Sequence, residues 1–186
     1  KNMNVENVKL YFDVNGTEHL NGKVHMSSAS SDSFKQGMRH LAASVNIVST
    51  WVNQEPCGML ATAVCSVSAA PPTLLVCINR NTSFYQSLCE SGFFCVNVMS
   101  ETQVELAKKF LGVPGAERFG LCEWSTLTTG APAITSSAAN FDCSVSGSVD
   151  NGSHRIFLGE VVAVRNAETD RPLVYHDGRY ASISAI

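Results

Sequence analysis

Val45-Asn-Ile-Val-Ser-Thr-Trp-Val52, the turn Asn53-Gln-Glu-Pro56 and Gly58-Met-Leu-Ala-Thr-Ala-Val-Cys-Ser-Val-Ser68 follow one another along the chain, with Cys57 between the last two. The first stretch is rich in β-branched residues and the third in small and β-branched ones, so the run predicts a β-hairpin. Downstream, Pro71-Pro72 breaks the chain before a buried strand, Leu74 to Ile78, and Phe93 to Val98 reads as another. The tail returns to β: Phe141 to Val149, an Asn151-Gly152 turn, Ile156 to Arg165, and Leu173 to Ile183 interrupted by Asp177-Gly178. Three short helices are expected between the strands. Ser33-x-x-Gln36 begins one that carries Phe34, Met38, Leu41 and Ala42 to about Ala43. Ser83-x-x-Gln86 caps a second that ends near Gly92, and Thr102-x-x-Glu105 caps a third with Leu106, Phe110 and Leu111. Many strands at near-hairpin spacing with three short helices predict a mainly β fold, a closed antiparallel barrel rather than a doubly wound sheet.

Composition bounds the function. The 186 residues are 45% hydrophobic and 16% charged, with a formal net charge of −3. A charged fraction well under the roughly 25% usual for soluble domains excludes disorder and leaves apolar surface over for a subunit interface. Lys and Arg are scattered, so the basic stripe that nucleic acid requires is missing, although a small anion needs only a local site. No apolar run approaches the ~18 residues of a membrane span, and Lys1 to Phe12 lacks the apolar core of a secretory signal. The seven cysteines include no CxxC pair and are odd in number; they read as reduced, mostly buried thiols of a cytoplasmic protein. Residues 1–32, with Asn15-Gly16-Thr17-Glu18 and a Ser-rich run from Ser27 to Ser33, form an arm of unassigned role ahead of a domain at 33–186.

Three places ask for chemistry. Small residues at Ala61, Thr62, Ala63 and Ser66 would let a flat ligand approach the backbone, or simply face a helix. Asn79-Arg80-Asn81-Thr82-Ser83 stands at a helix start, where free N–H groups, the helix dipole and a guanidinium favour an anion, or merely cap the helix. His154 enters a strand just after a hairpin turn, where a histidine is either functional or a surface residue. Dinucleotide and Walker-type glycine motifs are missing, and no His pair stands at metal-ligand spacing. A cysteine hydrolase built on Cys57 or Cys65 with His154 is conceivable, but no nucleophile motif surrounds either thiol. The residues alone lead to a β-barrel with a possible flat, anionic ligand.

Gly58 to Ser68, Pro71-Pro72-Thr-Leu-Leu-Val-Cys-Ile-Asn-Arg80 and Phe94-Cys-Val-Asn-Val98 together resemble the flavin reductase family, and within it the reductase components of two-component 4-hydroxyphenylacetate monooxygenases. Arg118-Phe119, the strand Ile156-Phe-Leu-Gly-Glu-Val161 after His154, and Gly178-Arg-Tyr180 support the resemblance, which covers Ser33 to Ile183. It implies an FMN-binding split β-barrel with short flanking helices, paired as a homodimer with flavin near the interface. FMN or FAD would be reduced by NADH or NADPH, and the reduced flavin passed to a partner flavin-dependent monooxygenase. Carried onto this chain, Thr62, Ala63, Val64, Cys65 and Ser66 would meet the isoalloxazine and ribityl chain. Asn79, Arg80 and Ser83 would meet the phosphate, and Asn97 and Phe110 would close the pocket. His154 would lie on the nicotinamide side with Tyr180 nearby, and no metal is implied. Hydride transfer belongs to the cofactors, which accounts for the lack of an acid–base pair. A flavin-binding carrier or sensor, or a reductase of another acceptor such as a corrinoid, is the alternative.

Overall fold

The structure, a computed structural model, describes residues 9–12, 18–21, 28–167 and 171–184. The expected Asn15-Gly16 turn and Ser27 lie outside the described residues. The chain divides into two compact units, Lys1–Gly37 and Met38–Ile186. The first contains an antiparallel pair, β1 (Lys9–Phe12) and β2 (Glu18–Asn21), and all but the last residue of helix α1 (Ser31–Met38).

The second unit carries the remaining strands. A two-residue strand β3 (Ala43–Ser44) precedes β4 (Asn46–Val52), which turns into β5 (Glu55–Ala61). Asn53 and Gln54 make that turn with φ of 49° and 66°, the left-handed pair whose twist suits a two-residue hairpin. Next come β6 (Val64–Ala69), β7 (Pro72–Asn79), helix α2 (Ser83–Ser91) and β8 (Phe93–Val98). Gly92, at φ 71°, ends α2 by giving its N–H to Leu88 O. A 3₁₀ turn (Glu101–Gln103) leads into α3 (Val104–Gly112), and a second 3₁₀ segment spans Gly115–Leu121. Strands β9 (Trp124–Thr126) and β10 (Pro132–Ile134) pair with each other. The long hairpin β11 (Ala139–Asn151) and β12 (His154–Asn166) follows, then the short hairpin β13 (Val174–His176) and β14 (Arg179–Ala181).

Seven strands form one antiparallel sheet in the order β5-β4-β8-β11-β12-β7-β6. Its two edges, β5 and β6, are neighbours in sequence. Ala61 and Val64 are three Cα steps apart, at most about 11 Å, so the sheet curls until its edges nearly meet. The mainly β expectation holds, but the closed barrel does not form: β5 and β6 do not pair. The bend at Thr62-Ala63, where Val64 N–H turns back to Thr62 O, delivers the Ala63 carbonyl to Cys77 N–H of β7 at 3.0 Å. An open seam remains between the edges.

Burial follows from β4 and β8 being covered on both faces. Val48, Val76, Phe94, Val96 and Phe157 meet Phe84 and Leu88 of α2 inside the curl. Ile47, Met99 and Ile134 meet Ala107 and Phe110 of α3, with Phe119, outside it. Gly159 makes room for its neighbours across the sheet: a Cβ there would lie 2.8 Å from Cys143 Cβ and closer still to the Phe94 ring.

Several local expectations are corrected. Helix α1 starts at Ser31 and stops at Met38, and it is Ser30 whose Oγ accepts the Ser33 N–H, so the box from Ser33 to Gln36 does not form. Ala43 leaves the helix for β3, which pairs with β13 through Ala43↔Tyr175 and Ser44↔Val174. Thr82 is the N-cap of α2, and Ser83 is its first helical residue. The third box belongs to Ser100 and Gln103, just ahead of the expected Thr102 and Glu105. Gly58 to Ser68 is not one strand but two, broken at the seam. All seven cysteines are free, yet only Cys95 and Cys143 are fully buried, while Cys65 and Cys89 are exposed.

Candidate functional site

The seam places the small-residue segment. Thr62, Ala63, Cys65 and Ser66 are exposed, while Val64 turns inward to pack on the core. As an edge strand, β6 pairs only with β7, so the backbone groups along its free side have no ladder partner. A flat ligand carrying ring carbonyls can take them without a side chain in the way.

Strand register brings the next residues alongside. Ala63 lies beside Cys77, and two residues on, about 7 Å along the strand, Asn79 stands opposite His154. His154 is half-buried, with its Nδ1 2.9 Å from Ser153 Oγ. Asn79 Oδ1 accepts the Asn81 N–H at 2.9 Å and fixes the turn into α2. Arg80 bridges to the β11–β12 turn: its N–H reaches Ser153 O, and its Nη2 donates to Gly152 O at 2.8 Å. Asp150 lies 3.7 Å from the same guanidinium, and the Arg155 fork beside it holds the Asp150 carboxyl below its usual range. Thus Arg80 is committed first to the hairpin turn.

Two clefts flank this strip. One, of about 510 Å³, is walled by Leu60, Thr62, Leu111, Tyr175 and Tyr180, with Lys108 at its edge. The two tyrosines meet edge to face at 5.7 Å across the β13–β14 hairpin. Burial and the neighbouring Tyr175 phenol push the Tyr180 phenol above its ordinary pKa, against the pull of the Lys108 ammonium. The second cleft, about 450 Å³, lies between β5, α2 and the Gly115–Leu121 turn and is lined by Cys57, Gly58, Ser83, Ser87 and Arg118. Arg118 is tied there, donating to Gly58 O at 2.9 Å and lying 5.3 Å over the Phe110 ring. Burial pushes the Cys57 thiol up, the reverse of what a hydrolase nucleophile needs.

The structure therefore gathers Thr62 with Tyr180, and His154 with Asn79 and Arg80, along one strip. Ser83 faces the second cleft instead. Asn97 and Phe110, expected at the pocket wall, are fully buried and line neither cleft. Asn97 is a hub of the core: Nδ2 donates to Ile47 O and Ser49 Oγ, both at 2.9 Å, and Oδ1 accepts from Ile134 N–H at 2.8 Å and Asn140 Nδ2 at 2.7 Å. Phe110 packs edge to face on Phe119. Leu111, expected on the apolar face of α3, is instead 64% exposed at the cleft. Sequence reasoning missed Leu111 and Tyr175 as wall residues. The one available signal for Tyr175 was its place across the Asp177-Gly178 turn from Tyr180.

Comparison with known proteins places the chain in a family. A model described as flavin reductase like domain matches residues 38–184. The "FMN reductase (NADH) RutF" of Stutzerimonas stutzeri strain A1501 is 40% identical over 155 residues, covering 83% of this chain and 89% of that one. Among solved structures, a nitrilotriacetate monooxygenase component B homologue from Mycobacterium thermoresistibile superposes with a TM-score of 0.77 at 26% identity, over 82% of this chain and 86% of its own. The NADH:FAD oxidoreductase SgcE6 of Streptomyces globisporus C-1027 gives 0.79 at 25% identity, over 88% and 100%. With the family model spanning nearly the whole second unit, where the curled sheet, the seam and both clefts lie, this chain belongs to the flavin reductase family.

Proposed function

We propose that this chain is an NADH-dependent flavin reductase whose flavin lies along the seam, in a sheet that is the split barrel of its family. The observation that carries the reading is the exposed edge Thr62–Ser66, free on one side, whose Thr62 end meets both the aromatic cleft and, two residues beyond Cys77 on β7, the Asn79–His154 pair. These residues fit a flavin: small side chains admit its ring, free backbone groups answer its carbonyls, and the turn from Asn79 to Ser83 offers its phosphate the N-terminal N–H groups of α2. Bound flavin and nicotinamide would supply the hydride chemistry between them. The chain's part would be to hold the rings against one another along the seam and to offer backbone donors where charge develops. His154 is assigned to the nicotinamide side and Tyr180 to the ring's far wall.

The RutF relative favours FMN as the flavin and NADH as the donor, and SgcE6 shows that the fold also serves FAD. The component B homologue supports delivery of reduced flavin to a monooxygenase partner. Val162 and Val164, exposed on one face of β12, and Val67 on β6 supply apolar surface for a homodimer. Seven free thiols accord with a cytoplasmic setting, and no helix among the described residues is long and apolar enough to cross a membrane.

Purified protein should oxidise NADH only when FMN or FAD is added, as followed by the absorbance of NADH and of the flavin. NADH oxidation that ignores flavin, or no flavin binding at micromolar concentration, overturns the reading. His154→Ala should raise KM for NADH or lower kcat, at a cost of about 1–3 kcal/mol in kcat/KM for one lost hydrogen bond, while leaving flavin Kd near that of the unsubstituted protein. Equal losses for both ligands would move His154 to the flavin side or to the fold.

A further inference from the structure

His154 enters β12 at the tip of the long hairpin, and along β11 that tip has little support. Strand β8 pairs with β11 only from Ala139 to Ser144, and a register shift between Val145 and Gly147 follows. From Gly147 to Asn151 the one described strand beside β11 is therefore β12. Asp150 ties this arm down from its place opposite Arg155 in the ladder. Its carboxylate takes the Arg155 fork, Oδ1 accepting from Nε and Oδ2 from Nη2, the latter at 2.9 Å. Arg155 in turn reaches helix α2, lying 5.5 Å over the Tyr85 ring with Nη1 3.9 Å from Cys89 Sγ. Arg80, at the entry to α2, approaches the same carboxylate to 3.7 Å. Arg155 and His154 are consecutive strand residues and point to opposite faces of the sheet, Arg155 with Phe157 toward Tyr85 and His154 away from it.

We propose that Asp150 is a positioning residue for the reductase reaction: by joining Arg155 and Arg80 it clamps the β11–β12 tip to α2, and so fixes from the far face of the sheet where the His154 ring stands beside Asn79. Arg80 keeps its bonds to Gly152 O and Ser153 O without the carboxylate, so the turn at the start of α2 stays in place when Asp150 is lost. A fork on a carboxylate fixes direction as well as distance, and a misplacement of about 1 Å in a positioning group can cost as much as about 100-fold in rate. The Arg155 and Asp150 side chains are 28% and 45% exposed, so their pairing adds little to stability and acts on geometry instead. The role of His154 rests on the reductase reading; the clamp rests on the hairpin alone.

Rapid mixing of FMN-loaded protein with saturating NADH reads the rate, and titrations read the affinities. Asp150→Asn should slow flavin reduction about five- to tenfold, with Kd for FMN and for NADH each within about twofold of the unsubstituted protein. Asp150→Glu should recover most of the rate, while Arg155→Lys, which keeps the charge and loses the fork, should reproduce the loss. Melting midpoints should stay within about 2 °C. In nucleotide-free protein the NMR resonance of the His154 ring, identified by its loss in His154→Ala, should shift in Asp150→Asn and return in Asp150→Glu. An unchanged rate or an unmoved His154 resonance in Asp150→Asn overturns the clamp. So does a loss that falls on FMN affinity instead of rate, which would put Asp150 in the service of Arg80, or a slow rate in both variants that tracks a melting midpoint lowered by more than about 5 °C. Should the unsubstituted protein not couple NADH oxidation to flavin, the reductase reading falls and the ring resonance alone decides the clamp.

Discussion

Asn97→Leu should destabilise the fold by about 3–5 kcal/mol, because the substitution keeps the volume and removes every hydrogen bond of the hub. Asn97 is fully buried in β8, between β4 and β11. Leucine strands the Ile134 N–H and leaves the Ile47 carbonyl and the Asn140 amide each a partner short. Buried groups left unsatisfied cost roughly 1–3 kcal/mol each. Asn140 in turn accepts from Arg165 Nε at 2.8 Å, so the loss spreads into a second strand. For a chain of this size the midpoint of thermal unfolding should fall by about 10 °C. A drop worth less than about 1 kcal/mol would show that the hub holds nothing its neighbours cannot replace.

Ala63→Phe should do the opposite: leave the fold alone and remove the function. The Ala63 side chain is exposed, and its structural bond, to Cys77 N–H, is made by the backbone and survives substitution. A phenyl ring projecting from the seam occupies the volume that a flavin ring would take. Flavin Kd should rise by about 100-fold, some 2.7 kcal/mol, and flavin-dependent NADH oxidation should be lost, with the melting midpoint within about 2 °C of the parent. Normal turnover in a normally folded Ala63→Phe protein would place the flavin elsewhere than on β6.

What could be read before folding was local. The β4–β5 hairpin followed from β-branched runs around a polar turn, although its second arm ends at Ala61 rather than Ser68, and the Asn151-Gly152 turn marked the long hairpin correctly. Capping boxes failed because Ser, Thr, Gln and Glu recur near each helix start. Which of them caps depends on where the preceding strand releases the chain: Ser100 wins because β8 ends at Val98. Ala43-Ser44 could not be recognised as a strand, since its partners lie near the other end of the domain, Tyr175 opposite Ala43 and Val174 opposite Ser44. Asn97 was legible as notable but not as buried: in Phe94-Cys-Val-Asn-Val98 a strand enclosed on both faces shows no alternation to tell wall from core. Thr62 and His154, by contrast, stood out by small-residue composition and by a place after a hairpin turn, their flavin and nicotinamide roles came from the resemblance, and the register sets both near Asn79.

The open seam also bears on how the chain reaches its native state. Ala63 meets Cys77 within one local hairpin, but His154 reaches Asn79 only when residues 72–79 find residues 154–160. Local hairpins close in microseconds, whereas pairing across such a separation must first overcome the entropy of a long loop and is correspondingly slow. The strip that we assign to the nucleotides is therefore assembled by the most non-local ladder in the sheet. A chain can hold both hairpins and still lack a site, so enzymatic competence arrives with the β7–β12 encounter rather than with secondary structure.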